Sequence, residues 1–294
     1  MERRDFIKTL LLSGLAVKFT PEIFSQTTLP ELSVAEGDSP AVITKEALKA
    51  LGGMKRFVGR GDKVLIKPNI GWDRTPEMAA CTNPEVVKAL VEMAFEAGAK
   101  EVIVMDHTIN QPKRCYIRSG IQNAAKEAGA KVLFAEEQRL KKVALKGEWL
   151  KEWEVFQDFL EVDKIINAPV AKVHSLSKVT LGMKNWLGAI GGSRNQLHQK
   201  IDQAMVDLAA FFKPTLTVLD GYRILFRNGP QGGRTSDTKL MKTVVAGTDP
   251  VAVDAYGATF FDYKPQELLF LKLAQDRGLG KFELEKVKIE KRKV

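Results

Sequence analysis

The sequence predicts an α/β fold with Rossmann-like layering: a mostly parallel sheet covered by helices on both faces, with room for a small extra lobe. Three observations carry that prediction. Short, continuous apolar runs recur along the chain, each too short to be a buried helix. Helix-length segments separate them, which is the alternation a parallel sheet requires. Finally, EAGAKEVIVMD at 96–106 resembles EAGAKVLFAE at 127–136. Each is a helix end, a glycine stop and an apolar strand, so one βα unit is repeated without the fixed period of a solenoid.

Taken in order, 44–58 reads as a helix and DKVLIKPN (62–69) as a buried strand running into a Pro-Asn turn. Asn83 is placed to cap the next helix, with Pro84 at its first position and Gly98 as its stop. Strands follow at EVIVMD (101–106) and in the second copy of the repeat. Further strands are expected at 163–168 (DKIINA), 215–220 (TLTVLD) and 242–247 (KTVVAG). Helices are expected at 178–190, 198–212, 250–261 and 265–276. No linker divides residues 41–294, which read as a single α/β domain. Residues 31–40, at the end of a Pro-, Ser- and Thr-rich stretch, read as a linker.

The N-terminus, MERRDFIKTLLLSGLAVKF, pairs Arg3 with Arg4 ahead of a short apolar run. A basic segment followed by a short apolar one is the layout of an export signal. Paired arginines mark the twin-arginine route. Residues 1–30 are therefore expected to be a twin-arginine signal or tether, with the twin-arginine translocase as a partner. The destination is periplasmic, or tethered on the outer side of the membrane. That route carries folded cargo, so it permits a cofactor without naming one.

Composition narrows the classes. The net charge is +9, but Lys and Arg are spread along the chain among Glu and Asp, and only the tail KVKIEKRKV is locally basic. That is the pattern of a solvated surface, and no nucleic acid is expected. No run of 18 apolar residues is present, so no ordinary transmembrane helix is expected. Two cysteines, Cys81 and Cys115, are too few for an iron–sulfur cluster within this chain and lack zinc spacing. A disulfide between them stays open. Any other cofactor is unknown from sequence.

Candidate site residues follow from a topological rule: ligands of open parallel sheets bind beyond the carboxyl ends of the strands. Lys67 and Asn69, then Asp106 and His107, then Asn167, Asp220 and Asp249 all follow strand ends. The stretch KVHSLSKVTLGMKNWLG (172–188) adds Lys172, His174, Thr180, Lys184 and Asn185. Read as a helix from Ser177, it sets Lys178, Gly182 and Asn185 on one face. GAIGGSRNQLH follows, a glycine-rich loop flanked by Arg194 and His198. Amide donors beside cations suit a phosphate or carboxylate. A second glycine loop, RNGPQGGRTSD (227–237), is a candidate lid. Lys67, Lys184 and Arg194 are expected to hold the anion, His174 or His198 to transfer a proton, and Asp106 or Asp220 to orient or ligate. His107 and Asp106 are the candidates should a metal bind, although no pair has diagnostic spacing. No nucleophile elbow, phosphate loop, GxGxxG or HExxH occurs.

Several of these motifs, taken in order over about 60–280, resemble one family. They are the Lys-Pro-Asn of VLIKPNIG, the Lys-x-His and Lys-Asn of AKVHSLSKVTLGMKNW, the Gly-Pro-x-x-Gly of NGPQGG, and the Asp-Pro-Val-Ala-Val-Asp of TDPVAVD. The chain resembles the domain-of-unknown-function 362 family. The resemblance implies that Lys67, Asn69, Lys172, His174, Thr180, Lys184 and Asn185 are family-pattern positions. It implies the same of His198, Asp220, Gly229, Pro230, Asp249 and Asp254. One of Asp249 and Asp254 is expected to cap a helix while the other faces the site. Family members sometimes carry ferredoxin-type cluster modules, which this chain lacks, so an electron-transfer role implies a separate redox partner. The layering also resembles that of the lactate racemases, which bears on fold alone. Two functional readings follow. The first is an exported enzyme or cofactor-handling protein with a basic, glycine-lined cleft for a small anionic ligand. The alternative is a non-catalytic periplasmic binding or accessory protein for a redox or metal-handling partner.

Overall fold

Four apolar runs set one half of the sheet in the computed structural model, which describes residues 29–294. Strands β2 (Lys63–Pro68), β3 (Glu101–Asp106), β4 (Lys131–Phe134) and β7 (Lys164–Ala168) lie parallel in the order β7-β2-β3-β4. Register aligns Lys67 with Asn167, and Ile66 with Val104, so the carboxyl ends of β2, β3 and β7 open on one side. Alternation divides the core in two, because successive strand side chains face opposite sides of a sheet. Ile103 and Met105 join one buried cluster, with Trp186 and Phe212, while Val102 and Val104 join the other, with Leu48 and Leu90.

Helices cover both faces. Helix α1 (Pro40–Ala50) starts at Ser39, whose side chain accepts from the Val42 amide. Helix α2 (Pro84–Ala97) has Asn83 as its cap, accepting from the Glu85 amide at 2.9 Å, and ends at Gly98 with φ 107°. Both ends of α2 match the sequence expectation, since the cap chemistry is local. Two short helices, α3 (Pro112–Arg118) and α4 (Ile121–Glu127), connect β3 to β4. Among the described residues no helix is long and apolar enough to cross a membrane.

The other half of the sheet mixes directions. Strand β10 (Leu216–Leu225) runs parallel to β7, and β11 (Thr238–Gly247) returns antiparallel to it. Strand β1 (Leu32–Glu36) is antiparallel to β11 and parallel to β12 (Ile289–Lys293) at the sheet edge. The stretch read as a linker at 31–40 is thus corrected: Leu32 to Ala35 are buried in the sheet, and α1 begins at Pro40. A five-residue strand is too short to stand out in a Pro-, Ser- and Thr-rich context. The expected helix at 44–58 is shorter as well, because Gly52 and Gly53 take positive φ and leave only a 3-10 turn at Met54–Arg56.

The largest correction concerns 178–190. That stretch is not one helix. Strand β8 (Val170–His174) pairs with β10, then turns back as β9 (Lys178–Thr180), and a single helical turn α5 (Gly182–Asn185) follows. Val179 and Thr180, β-branched and buried, favour the strand. Lys178 is exposed, its Nζ donating to the Glu267 carbonyl at 2.9 Å, so it shares no face with Asn185. A separate hairpin, β5 (Leu140–Ala144) with β6 (Glu152–Phe156), forms the small extra element. Helices α6 (Ile201–Phe212), α7 (Pro250–Ala258) and α8 (Leu269–Asp276) complete the layers. The export signal expected at 1–30 falls outside the described residues except for Leu29 and Pro30.

Candidate functional site

The carboxyl ends of β2 and β3 face α5 and the β8–β9 hairpin across a cavity of about 220 Å³. Ten residues singled out in the sequence line it. Asn69 follows β2, and Asp106 and His107 close β3. Lys172, His174 and Thr180 come from the hairpin, Lys184 and Asn185 from α5, and Arg194 and His198 from the segment before α6. The rule about strand ends brought these residues together despite the wrong helix at 178–190, because it depends on topology rather than on that local element.

Beneath the cavity lies a chain of hydrogen bonds. The Asn167 side chain donates to the Gly182 carbonyl at 2.9 Å and accepts from Asn185 Nδ2 at 2.9 Å. Asn185 Oδ1 accepts from Asn69 Nδ2 at 3.1 Å, and Asn69 Oδ1 accepts from Lys172 Nζ at 2.9 Å. The Lys172 ammonium also donates to the Ala80 carbonyl at 2.6 Å. This network fixes the Lys172 amine by neutral acceptors only.

Lys67 differs from the other cations. Its Nζ lies 2.6 Å from Asp106 Oδ1, both side chains are fully buried, and Asp106 Oδ2 accepts from the Ile70 amide at 2.6 Å. Lys67 therefore neutralises Asp106 from outside the cavity lining, a correction to its expected anion-holding role. Among the described residues Asp106 is the one carboxylate in the lining, and Lys67 already holds it. Lys172 and Lys184 are buried, and among the described residues neither is in an ion pair with a carboxylate.

Electrostatics follow from that imbalance. Burial brings Lys172 down to about 8. Burial, then the charge of Lys172, brings Lys184 down to about 7. His174 falls to about 3, first through burial and then through Lys184, His198 and Lys172. Burial and Lys184 lower His198 as well. Each group loses free energy by being charged beside the others without an anion between them.

The two histidines stack, ring centroids 5.6 Å apart and planes 14° apart. Their bonding is not equivalent. His174 Nδ1 accepts the Leu176 amide at 3.1 Å, so in the neutral ring the proton sits on Nε2. His198 Nδ1 faces the Asn195 carbonyl at 3.1 Å and so carries its proton there. That leaves His198 Nε2 as a free lone pair, 3.5 Å from Lys184 Nζ. Of the two, His198 has the nitrogen able to accept a proton.

Arg194 lines the cavity but is largely engaged. Its guanidinium donates to the carbonyls of His107, Leu187 and Thr108 at 3.0, 2.9 and 2.6 Å. It thereby clamps the loop after β3 to the segment after α5. Thr180 presents the opposite case: its Oγ1 is buried in the cavity wall without a hydrogen-bond partner among the described residues.

Three expected acids lie elsewhere. Asp220 accepts from the Asn83 and Tyr222 amides at 2.7 and 3.0 Å, tying β10 to the start of α2. Asp249 caps α7 through the Val251 and Ala252 amides and also accepts from the Lys281 amide at 2.8 Å. Asp254 accepts from the Gly182 and Met183 amides at 2.7 and 2.9 Å, capping α5. So both Asp249 and Asp254 are caps, and neither faces the cavity; Asp220 is no proton carrier there. Burial pushes Asp220 up to about 6 and Asp254 up to about 7. Gly229 is also outside the lining, although the following Pro230 reaches it. A Cβ on Gly229 would overlap the Val173 carbonyl, so that glycine lets the loop 227–237 close onto β8.

Asp106 and His107 do not complete a metal site: among the described residues no group of three His, Cys, Asp or Glu side chains could hold a metal ion. Cys81 and Cys115 are buried free thiols, pushed up by burial to about 11 and 12. Sequence reasoning takes Leu187 as apolar backing of the site stretch but misses Trp72 and Ile109 in the lining. The signal was present, since Trp72 and Ile109 follow the same strand ends as Asn69 and His107, but only polar residues had been sought there.

Fold and site together define an α/β protein with a cation-lined cavity at the strand ends. The chain belongs to the family described as Domain of unknown function (DUF362), whose model matches residues 64–259. A curated relative, the thylakoid-associated protein sll1697 of Synechocystis sp. (strain ATCC 27184 / PCC 6803 / Kazusa), is 26% identical over 253 residues, 83% of this chain and 77% of its own. Among solved structures, the lactate racemase apoprotein from Thermoanaerobacterium thermosaccharolyticum superposes with a TM-score of 0.48 at 11% identity. The superposition covers 77% of this chain and 56% of that one.

Proposed function

We propose that the cavity binds a small anionic ligand and that the chain is an enzyme, or a cofactor-handling protein, that moves a proton on it. One observation carries this reading: two buried amines, Lys172 and Lys184, line a cavity whose only carboxylate among the described residues is already neutralised by Lys67. An anion between them supplies the missing counter-charge and a partner for the Thr180 hydroxyl. His198 Nε2 is the proton acceptor, and His174 Nε2–H is a hydrogen-bond donor to the bound ligand.

Calorimetry with acetate and with inorganic phosphate tests the reading. At pH 8, Lys184 is mostly unprotonated in the free protein. A bound anion raises its pKa, so binding takes up about one proton, seen as a dependence of the heat on buffer ionisation enthalpy. Affinity falls as the pH rises through 7 to 8 for the same reason. No binding of either anion, or binding without proton uptake, overturns the reading.

Proton chemistry is tested separately. The protein is incubated in D₂O with small 2-substituted carboxylates, and deuterium at the carbon beside the carboxylate is read by NMR. His198-dependent exchange supports an enzyme. Tight binding without exchange in any of them favours the accessory role beside a separate redox partner. Arg3 and Arg4 support export by the twin-arginine route, and the thylakoid-associated relative supports a place at a membrane. A reporter fused to residues 1–30 should leave the cytoplasm, and should be retained when both arginines become lysine.

A further inference from the structure

The cavity is divided by chemistry. Its floor, built by the β8–β9 hairpin and α5, holds Lys172 and Lys184, both buried. Its outer lining has an apolar side, with Trp72 and Ile109 from the loops after β2 and β3, Leu187 after α5 and Pro230 from the loop 227–237, and a polar side with exposed Asn195 and the part-exposed Arg194 and His198. The two strand-end loops form one wall, because the amides of Ile109 and Asn110 both donate to the Gly71 carbonyl, at 2.9 and 3.2 Å. Ile109 is 53% exposed although it sits at the mouth of a polar cavity. Its exposed half, beside Trp72, Leu187 and Pro230 in one lining, is surface to offer a ligand.

We infer that the ligand is amphiphilic: an anionic head, carboxylate or phosphate, seated at Lys172 and Lys184, and an apolar body of ring size against Trp72 and Ile109. This rests on the anion-binding reading and narrows its substrate class. Inorganic ions fill only the floor. The cavity, about 220 Å³, has room for a single ring or short chain beside the anionic head. A flat ring beside an indole also gains the offset or edge-on geometry that aromatic pairs prefer.

Four probes test this on the full chain by calorimetry: acetate against benzoate, and inorganic phosphate against phenyl phosphate. In each pair the ring-bearing anion is expected to bind at least about tenfold more tightly, through burial of its apolar surface. Ile109→Ser, at a half-exposed position, should remove most of that advantage, read as the ratio of the two affinities within each pair. Trp72→Ala should do the same where it folds. Equal affinity within both pairs, or an unchanged ratio in Ile109→Ser, overturns the amphiphile while leaving the anion site standing. Failure of all four probes to bind removes both.

Discussion

The cavity floor and the layer beneath it bury charges of opposite sign in opposite ways. Lys172 and Lys184 are buried against neutral acceptors or a histidine, and among the described residues neither is ion-paired with a carboxylate, although Asp202 acts on Lys184 from a distance. Asp220 and Asp254 are buried, and Asp249 half-buried, with two or three backbone amides apiece. A buried carboxylate with amide donors is satisfied by the fold itself, and its removal leaves those donors unpaired. A buried amine held by neutral acceptors keeps its hydrogen bonds but lacks a counter-charge, as Lys172 does between Asn69 and the Ala80 carbonyl. The difference separates structural charge from ligand-binding charge without reference to any substrate: the acids hold the site in shape, and the cations wait for an anion.

Asp254 breaks or confirms the structural half of that contrast with the largest effect. Asp254→Ala leaves the Gly182 and Met183 amides buried and unbonded, and α5 carries Lys184 and Asn185. A loss of about 3 kcal/mol in denaturant unfolding is expected. Asp254→Asn keeps one acceptor and should lose about half as much. An Asp254→Ala protein as stable as the wild type would show that the carboxylate is not a cap.

Lys184→Met tests the other half, with the opposite sign. Removing a buried, unpaired amine should raise stability at pH 7 by roughly 2 kcal/mol, as functional-site residues often do, while abolishing phosphate binding. The pH dependence supplies the sign check. Lys184 releases its proton at about 7 in the folded chain but near 10.5 when unfolded. Between those values the unfolded state binds more protons, so this group makes stability rise with pH. Asp254, raised from 3.8 to about 7, does the reverse: the folded state holds the extra proton, and stability falls from about pH 4 to 7. The advantage of Lys184→Met over wild type should therefore be greatest below pH 7 and shrink toward pH 10. An advantage that grows with pH would contradict the assignment.

The same contrast explains what the sequence could show. Elements set by local chemistry were legible: the Asn83 cap, the Gly98 stop and the repeated strand of EVIVMD all lie where expected. Elements set by tertiary pairing were not. KVHSLSKVTLGMKN has glycine and lysine spacing compatible with a helix from Ser177, and it is pairing with β8 that makes 178–180 a strand. The site was legible as a set because strand ends converge whatever the loops do. The division of labour within it was not. Asp220 and Asp254 resemble catalytic acids in sequence, and only the amides that meet them, from segments 137 and 72 residues away, reveal them as caps.

Thr180 offers the smallest effect and the sharpest control. Two buried threonine hydroxyls, Thr180 Oγ1 and Thr217 Oγ1, lack a hydrogen-bond partner among the described residues. Thr180 lines the cavity; Thr217 sits on β10, outside the lining. Replacing either by valine removes an unbonded hydroxyl at nearly constant shape, which should raise stability by about 1 kcal/mol in the ligand-free protein. Phosphate separates them. If Thr180 donates to the bound anion, Thr180→Val lowers phosphate affinity by about five- to tenfold, the net worth of one ordinary hydrogen bond. Thr217→Val leaves that affinity unchanged. Equal affinities in the two variants would mean that the Thr180 hydroxyl is an orphan of packing like Thr217, and that the anion is held by Lys172 and Lys184 alone.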